Sequence, residues 1–278
     1  NHIIEGDIFI DCTGYKRIFS SKSDWVSFKD NLPMNSVTTF TRKHRESMVT
    51  KADKLKLGWC WQIPTQERLG CGYVSCDEWG DDIIDEIKFN YSDAEIVKSF
   101  KFESGKLKKS WNHNVISLGL AYHFLEPLQA TNIHLTLVQL EMLCQKCIRD
   151  TKDRTLNPNV ISYYNKHIDN LIEDFKNFIN IHYSCDSRVK MTDYNNEIID
   201  LLKVRGLFHE DILQAYGSCG IQLWGHTLLG LNHLTKQDCH TFLSEMNSYD
   251  EVKEVSSELE DTFTNTPFLT YKELIDIL

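Results

Sequence analysis

Hydrophobic and polar residues along this chain follow two different rhythms, and the change from one to the other sets the expected architecture. Up to about residue 118, short apolar runs of strand length are separated by polar or glycine-bearing turns. The run from Ile3 to Gly14 reads as a strand ending in a small-residue turn. Residues 35–76 read as β-rich, with strands over Ser36–Arg42, Leu57–Pro64 and Cys71–Cys76 and a hairpin turn near Gly70 and Gly72. Asp81–Phe89 fits a short acidic amphipathic helix. Phe100–Trp111 reads as a hairpin turning at Ser104-Gly105, and Val115–Leu118 as a short buried strand.

From Asn132 the period changes. Ile133, Leu137, Leu140 and Cys144 recur at helical spacing and predict a helix to about Arg149. Asn157-Pro158-Asn159 interrupts, and a second helix follows over Ile161–Tyr183, marked by Ile161, Tyr164, Ile168, Leu171, Ile172, Phe175 and Phe178. Beyond Ser184 the chain reads as helical and loop-rich, with a break at Gly217–Gly220. The expected fold class is α+β: residues 1–183 form the remainder of a larger domain with a substrate-side sheet, and residues 184–278 a helical C-terminal region.

Composition narrows the function classes. Forty acidic against thirty basic residues give a formal charge of −10, which argues against nucleic acid or an anionic membrane as partner. No apolar run is long enough for a membrane span. Nine cysteines without a framework, and no secretory signal, predict reduced thiols and a cytoplasmic protein. Cys144 and Cys147 form a lone C-x-x-C on a helix, and His113, His123 and His134 lack ligand spacing, so no metal is expected.

Three motifs then carry chemistry. The strand Gly58-Trp-Cys-Trp-Gln-Ile-Pro64 sets Trp59 and Trp61 on one face with Cys60 opposite, and Pro64 demands a strand end or edge. The segment Gly119–His134 turns through Glu126-Pro127-Leu128 into a helix starting near Thr131-Asn132, where unpaired amides and the helix dipole favour an anion. Asp7–Gly14 ends a strand on a glycine turn.

Together these resemble flavin-dependent halogenases of the tryptophan halogenase type: W-x-W-x-I-P, G-x-A-x-x-F-x-E-P-L-E-[S/A]-T, and D-L-x-I-D-C-T-G-[FY] continuing to Tyr15. Weaker echoes are Trp111-x-x-Asn114-Val115, Tyr164-Asn165 and Phe178–Tyr183. The resemblance implies the C-terminal portion of a flavoprotein-monooxygenase-like fold, because neither a G-x-G-x-x-G loop nor the family's essential lysine motif occurs in the sequence. It implies halide, chloride or bromide, on Thr131 and the Asn132 amide. Flavin contacts fall at Gly119, Leu120 and Ile133, with Trp59, Trp61 and Pro64 near the flavin. The implied cofactor is reduced FAD supplied by a flavin reductase, the substrate a small electron-rich aromatic such as an indole, and a homodimer is compatible.

Two departures stand out. Gln129 occupies the position of a catalytic glutamate and so cannot carry its charge, and no F-W pair follows His182-Tyr183, which speaks against free tryptophan as substrate. The alternatives are an aromatic monooxygenase of the same superfamily and a non-catalytic flavoprotein acting as an interaction module.

Overall fold

A computed structural model describes residues 5–43, 49–148, 157–212 and 216–235. In chain order its strands are β1 (Phe9–Asp11), β2 (Trp25–Ser27), β3 (Ser36–Lys43), β4 (Lys51–Lys54), β5 (Gly58–Pro64) and β6 (Arg68–Ser75). Then come β7 (Glu95–Lys101), β8 (Gly105–Leu107), β9 (Trp111–Asn112), β10 (Val115–Ser117) and β11 (His123–Phe124). The helices are α1 (Ile83–Asn90), α2 (Thr131–Glu141), α3 (Pro158–Ile181), α4 (Asp193–Leu202) and α5 (Ile221–Gly230). The described residues divide into two units, those within 34–102 in one and those within 5–33 and 103–235 in the other.

In the unit Met34–Phe102, five antiparallel strands run in the order β4-β5-β6-β3-β7. Alternation along β5 and β6 sends Cys60, Cys71 and Tyr73 into a core with Phe40, Leu57, Leu69, Ile87 and Tyr91, so Ile87 of α1 helps close one face of the sheet. Tyr73 ties the helix down: its hydroxyl donates to Glu86 Oε2 at 2.6 Å and accepts from the Leu57 amide at 2.9 Å.

Trp59 and Trp61 share the opposite face, ring centroids 5.9 Å apart, as the alternation requires. Pro64 sits at the end of β5.

The structure corrects two expectations here. Gly70 and Gly72 lie inside β6 rather than at its turn, which falls between Pro64 and Arg68. Gly72 stands directly across from Trp61, and a Cβ there would run into the indole, so its glycine makes room for an aromatic ring. The expected hairpin over Phe100–Trp111 is absent, because β7 pairs with β3 while β8 pairs with β2 and β11. Only the end of β7, at Phe100 and Lys101, falls within an expected strand, because β7 is exposed along its whole length and a register shift opposite Thr39/Phe40 breaks the period-two pattern of Ile96, Val97 and Phe100.

In the other unit, β1 and β10 run parallel, with Phe9 opposite Val115 and Asp11 opposite Ser117, and β9 completes the sheet. Both parallel strands lead into glycines in the left-handed region, Gly14 at φ +64° and Gly119 at φ +55°. Buried Asp11 holds the first turn, accepting from the Thr13 amide at 2.9 Å and the Thr13 hydroxyl at 2.6 Å.

Helix α3 carries an apolar stripe from Tyr164 to Ile181 and starts at Asn157, whose side chain accepts from the Asn159 amide, with Pro158 in the first turn. Asn165 grips Trp111 on both backbone atoms at 2.8 Å, and the Trp111 and Tyr164 rings meet edge to face. The helix predicted from Asn132 is α-helical to Glu141 and then widens to a π-helix over Met142–Ile148. Its predicted end at Arg149 lies outside the described residues, as do residues 236–278. The break expected at Gly217–Gly220 is present, with Gly217 at φ +80° and Gly220 capping α5.

Candidate functional site

The site is built on the corner between β11 and α2. After β11 the chain passes Glu126, Pro127 and Leu128, and then Gln129 (φ +63°) and Ala130 (φ +52°) occupy the left-handed region in succession. Two non-glycine residues there cost about 1 kcal/mol each. The consequence is a sharp entry into α2 with no side-chain cap on its first amides. Thr131, the first residue of the helix, is 5% exposed, and among the described residues its Oγ1 has no hydrogen-bond partner. A buried hydroxyl donor beside uncapped helix amides is a chemically suitable place for a small anion.

Asn132 uses its side chain elsewhere. Its Oδ1 accepts from the Leu125 amide at 2.9 Å and its Nδ2 donates to the Leu125 carbonyl at 2.6 Å. The helix start is therefore pinned to the strand end that precedes the corner.

Gly119 is fixed from α2 as well. Its amide donates to Gln139 Oε1 at 3.0 Å, and Gln139 Nε2 donates to Ser110 Oγ at 3.2 Å. A Cβ on Gly119 would lie 3.1 Å from the Thr136 side chain. Gly119, Thr131, Asn132 and Ile133 thus belong to one tied assembly. Leu120 is 37% and Ile133 73% exposed, so the rim of this corner is open on two sides. Trp59, Trp61 and Pro64 lie on β5 in the unit Met34–Phe102; Trp59 is buried and Trp61 half-buried.

Two pairs reach this corner from the end of α3. The Tyr183 hydroxyl donates to Glu126 Oε1. Glu126 is fully buried, its Oε2 has no partner among the described residues, and burial pushes its carboxyl up to about 8 despite the tyrosine. It keeps its proton at neutral pH. Gln129 Nε2 lies 3.0 Å from His182 Nε2, while His182 Nδ1 lies 2.8 Å from the Phe178 carbonyl. Burial holds His182 below the usual imidazole range.

His123 on β11 is also buried, without a partner for either ring nitrogen among the described residues. Burial, then the charge of Arg17, takes it down to about 3.

Gln139, Glu126 and the His182-Tyr183 pair are site residues that motif reading did not assign roles. Gln139 left a signal: a polar residue in the helical stripe of Leu135, Val138 and Met142, where it is fully buried.

Comparison with known proteins gives this corner its context. The family described as tryptophan halogenase matches residues 1–202. A tryptophan 6-halogenase of Streptomyces albogriseolus is 26% identical over 202 residues, 67% of this chain and 37% of that protein. A tryptophan 7-halogenase of Lentzea aerocolonigenes is 26% identical over 199 residues, again 67% and 37%. The crystal structure of a tryptophan 6-halogenase from Streptomyces toxytricini superposes with a TM-score of 0.78 at 21% identity, over 99% of this chain and 58% of that one. The chain spans little more than a third of the curated relatives it matches. The buried threonine, the glycine turn and the tryptophan-bearing strand all lie within the matched residues, and this chain belongs to the tryptophan halogenase family.

Proposed function

We propose that this chain forms the halide-binding and part of the flavin-facing portion of a flavin-dependent halogenase acting on an electron-rich aromatic, such as an indole. The observation that carries the reading is Thr131: a buried hydroxyl without a protein partner at an uncapped helix start. The Thr131 hydroxyl and the Asn132 amide hold chloride or bromide, favoured by the positive end of the α2 dipole. Because the Asn132 side chain is committed to Leu125, it does not fold over its own amide.

The residues assigned to the flavin edge are Gly119, whose left-handed turn is buried and tied to Gln139, and Leu120 and Ile133, which are open to solvent beside it. When bound, reduced FAD with oxygen supplies the oxidant: arene C–H, halide, FADH2, O2 and one proton give the aryl halide, FAD and two waters. A separate flavin reductase supplies the reduced cofactor. Trp59 and Trp61, side by side on one face of β5, are the paired indoles to which the family resemblance gives the role of limiting oxygen transfer to the substrate.

Gln129 stands where the family glutamate stands. It keeps a carbonyl acceptor and loses the charge, which weakens any bond to an ammonium or ring N–H; charged hydrogen bonds are worth about 1.5–3 kcal/mol against about 1 for neutral ones. The chain, with no helix among the described residues long and apolar enough to cross a membrane, is read as part of a cytoplasmic enzyme.

The test supplies the complete protein with a flavin reductase, FAD, NADH and bromide or chloride, over a panel of indoles and phenols. Products bearing the halogen isotope pattern are expected. Hydroxylated product formed equally without halide would overturn the reading in favour of a monooxygenase, and flavin oxidation with no product mass change in any arm would overturn both.

A further inference from the structure

The ring tautomer of His182 fixes which end of the Gln129 amide faces it. The Phe178 carbonyl can only accept a hydrogen bond, so His182 Nδ1, 2.8 Å away, carries a proton. A neutral ring then leaves Nε2 as a lone pair, and the Gln129 group 3.0 Å from it must be the amide NH2. That orientation turns the Gln129 carbonyl oxygen away from the histidine, where among the described residues it accepts no hydrogen bond.

A second proton on His182 reverses the logic. Nε2 becomes a donor, only the carbonyl oxygen can face it, and the NH2 group swings outward.

We propose that His182 is a positioning residue that sets the polarity of Gln129, presenting an acceptor to the substrate side of the corner when the ring is neutral and a donor when it is charged. The inference rests on the halogenase reading for its consequence, but not for its geometry. A glutamate at position 129 would be an acceptor in either state. A glutamine takes on that acceptor polarity only through its histidine partner, so an arene that offers an N–H to residue 129 is held only while His182 is neutral.

His182 is met by Gln129 from the corner, by the Phe178 ring and carbonyl and the Ile179 backbone on its own helix, and by Cys185, whose thiol donates to the His182 carbonyl at 3.6 Å. The neighbouring titratable groups are engaged with other partners, Tyr183 with Glu126 and His233 with Ser184. Burial favours the neutral ring.

The experiment is a pH titration of the complete protein, labelled with 15N at histidine and glutamine, followed by NMR. His182 should show the Nδ1–H tautomer, and the Gln129 side-chain amide should shift with the same midpoint as the ring. Gln129→Glu should raise the His182 midpoint by about one pH unit, because a carboxylate favours the charged ring. His182→Phe should remove the titration of the Gln129 amide. In reductase-coupled assays, kcat/KM for an indole should fall about tenfold per pH unit below the midpoint, and the fall should disappear in Gln129→Glu.

An Nε2–H tautomer, or a Gln129 amide that stays flat while His182 titrates, overturns the proposal even if halogenated product forms. A coupled titration with no halogenated product upholds the positioning and overturns the halogenase reading instead.

Discussion

Thr131 shows how a single atom separates binding from packing. An unpaired buried hydroxyl costs stability, about 1–3 kcal/mol, so Thr131→Val, which keeps the shape, should leave the protein as stable or more stable without halide. The same change should abolish the rise in melting temperature that added bromide gives the wild type, measured at constant ionic strength with a non-binding anion. An equal rise in both proteins would remove Thr131 from the halide site.

Asn132 makes the complementary case. Asn132→Gly loses two hydrogen bonds to Leu125 and adds a glycine to the first turn of α2, which together should cost about 2–3 kcal/mol in urea unfolding. A loss below about 0.5 kcal/mol would show that the corner does not depend on this clamp. Motif spacing pointed to the threonine and its neighbour. What the asparagine side chain does was not legible, because Leu125 lies seven residues away across the corner and only the left-handed Gln129 and Ala130 bring it within reach. The pairing of Gln129 with His182 spans 53 residues and was hidden for the same reason.

Among the elements, those with a clean period were the readable ones. Strand β5 declared its two faces, and the structure places Trp59 and Trp61 together and Cys60 in the core. Helix α3 declared its stripe. Glycine misled, because Gly70 and Gly72 carry a turn signature yet occupy mid-strand positions, one of them facing an indole. Strand β7 gave a signal only at its end, Phe100 and Lys101, being exposed throughout and bulged.

The glycine reading makes a prediction about the sheet. Gly72→Ala should cost about 1–3 kcal/mol by overpacking against Trp61, and Trp61→Leu in the same chain should restore most of the loss. Gly70→Ala is the control, since the atom nearest its added Cβ is a backbone oxygen at 3.7 Å and no large loss should follow. Equal losses at the two positions would mean that strand entropy, not the indole, dictates glycine.

At the scale of the whole molecule, buried ionisable groups set how stability responds to pH. Glu126 is pushed up to about 8 and Asp174 up to about 7, both mainly by burial; Asp174 keeps one bond, from the Cys219 amide at 2.8 Å, which favours its charged form without outweighing the desolvation. A carboxyl whose folded pKa lies above its unfolded value holds its proton in the folded chain after the unfolded chain has released it. Stability therefore falls as pH rises, from about 4.5 to 8 for Glu126 and from about 3.8 to 7 for Asp174. Each group contributes up to about 1.4 kcal/mol per pH unit inside its window.

His123 works in the opposite sense. Its depressed pKa of about 3 gives stability that is full above about 6.5 and lost as pH falls toward 3. Replacing both carboxyls by Glu126→Gln and Asp174→Asn should flatten the alkaline loss of the urea midpoint between pH 5 and 8 and leave the acid side as steep as before, while His123→Leu should soften the acid side alone. If the double variant and the wild type lose midpoint in parallel through pH 5–8, the two carboxyls ionise freely in the folded chain. The corner at Glu126 would then carry a negative charge a few residues from Thr131, an arrangement hostile to a halide.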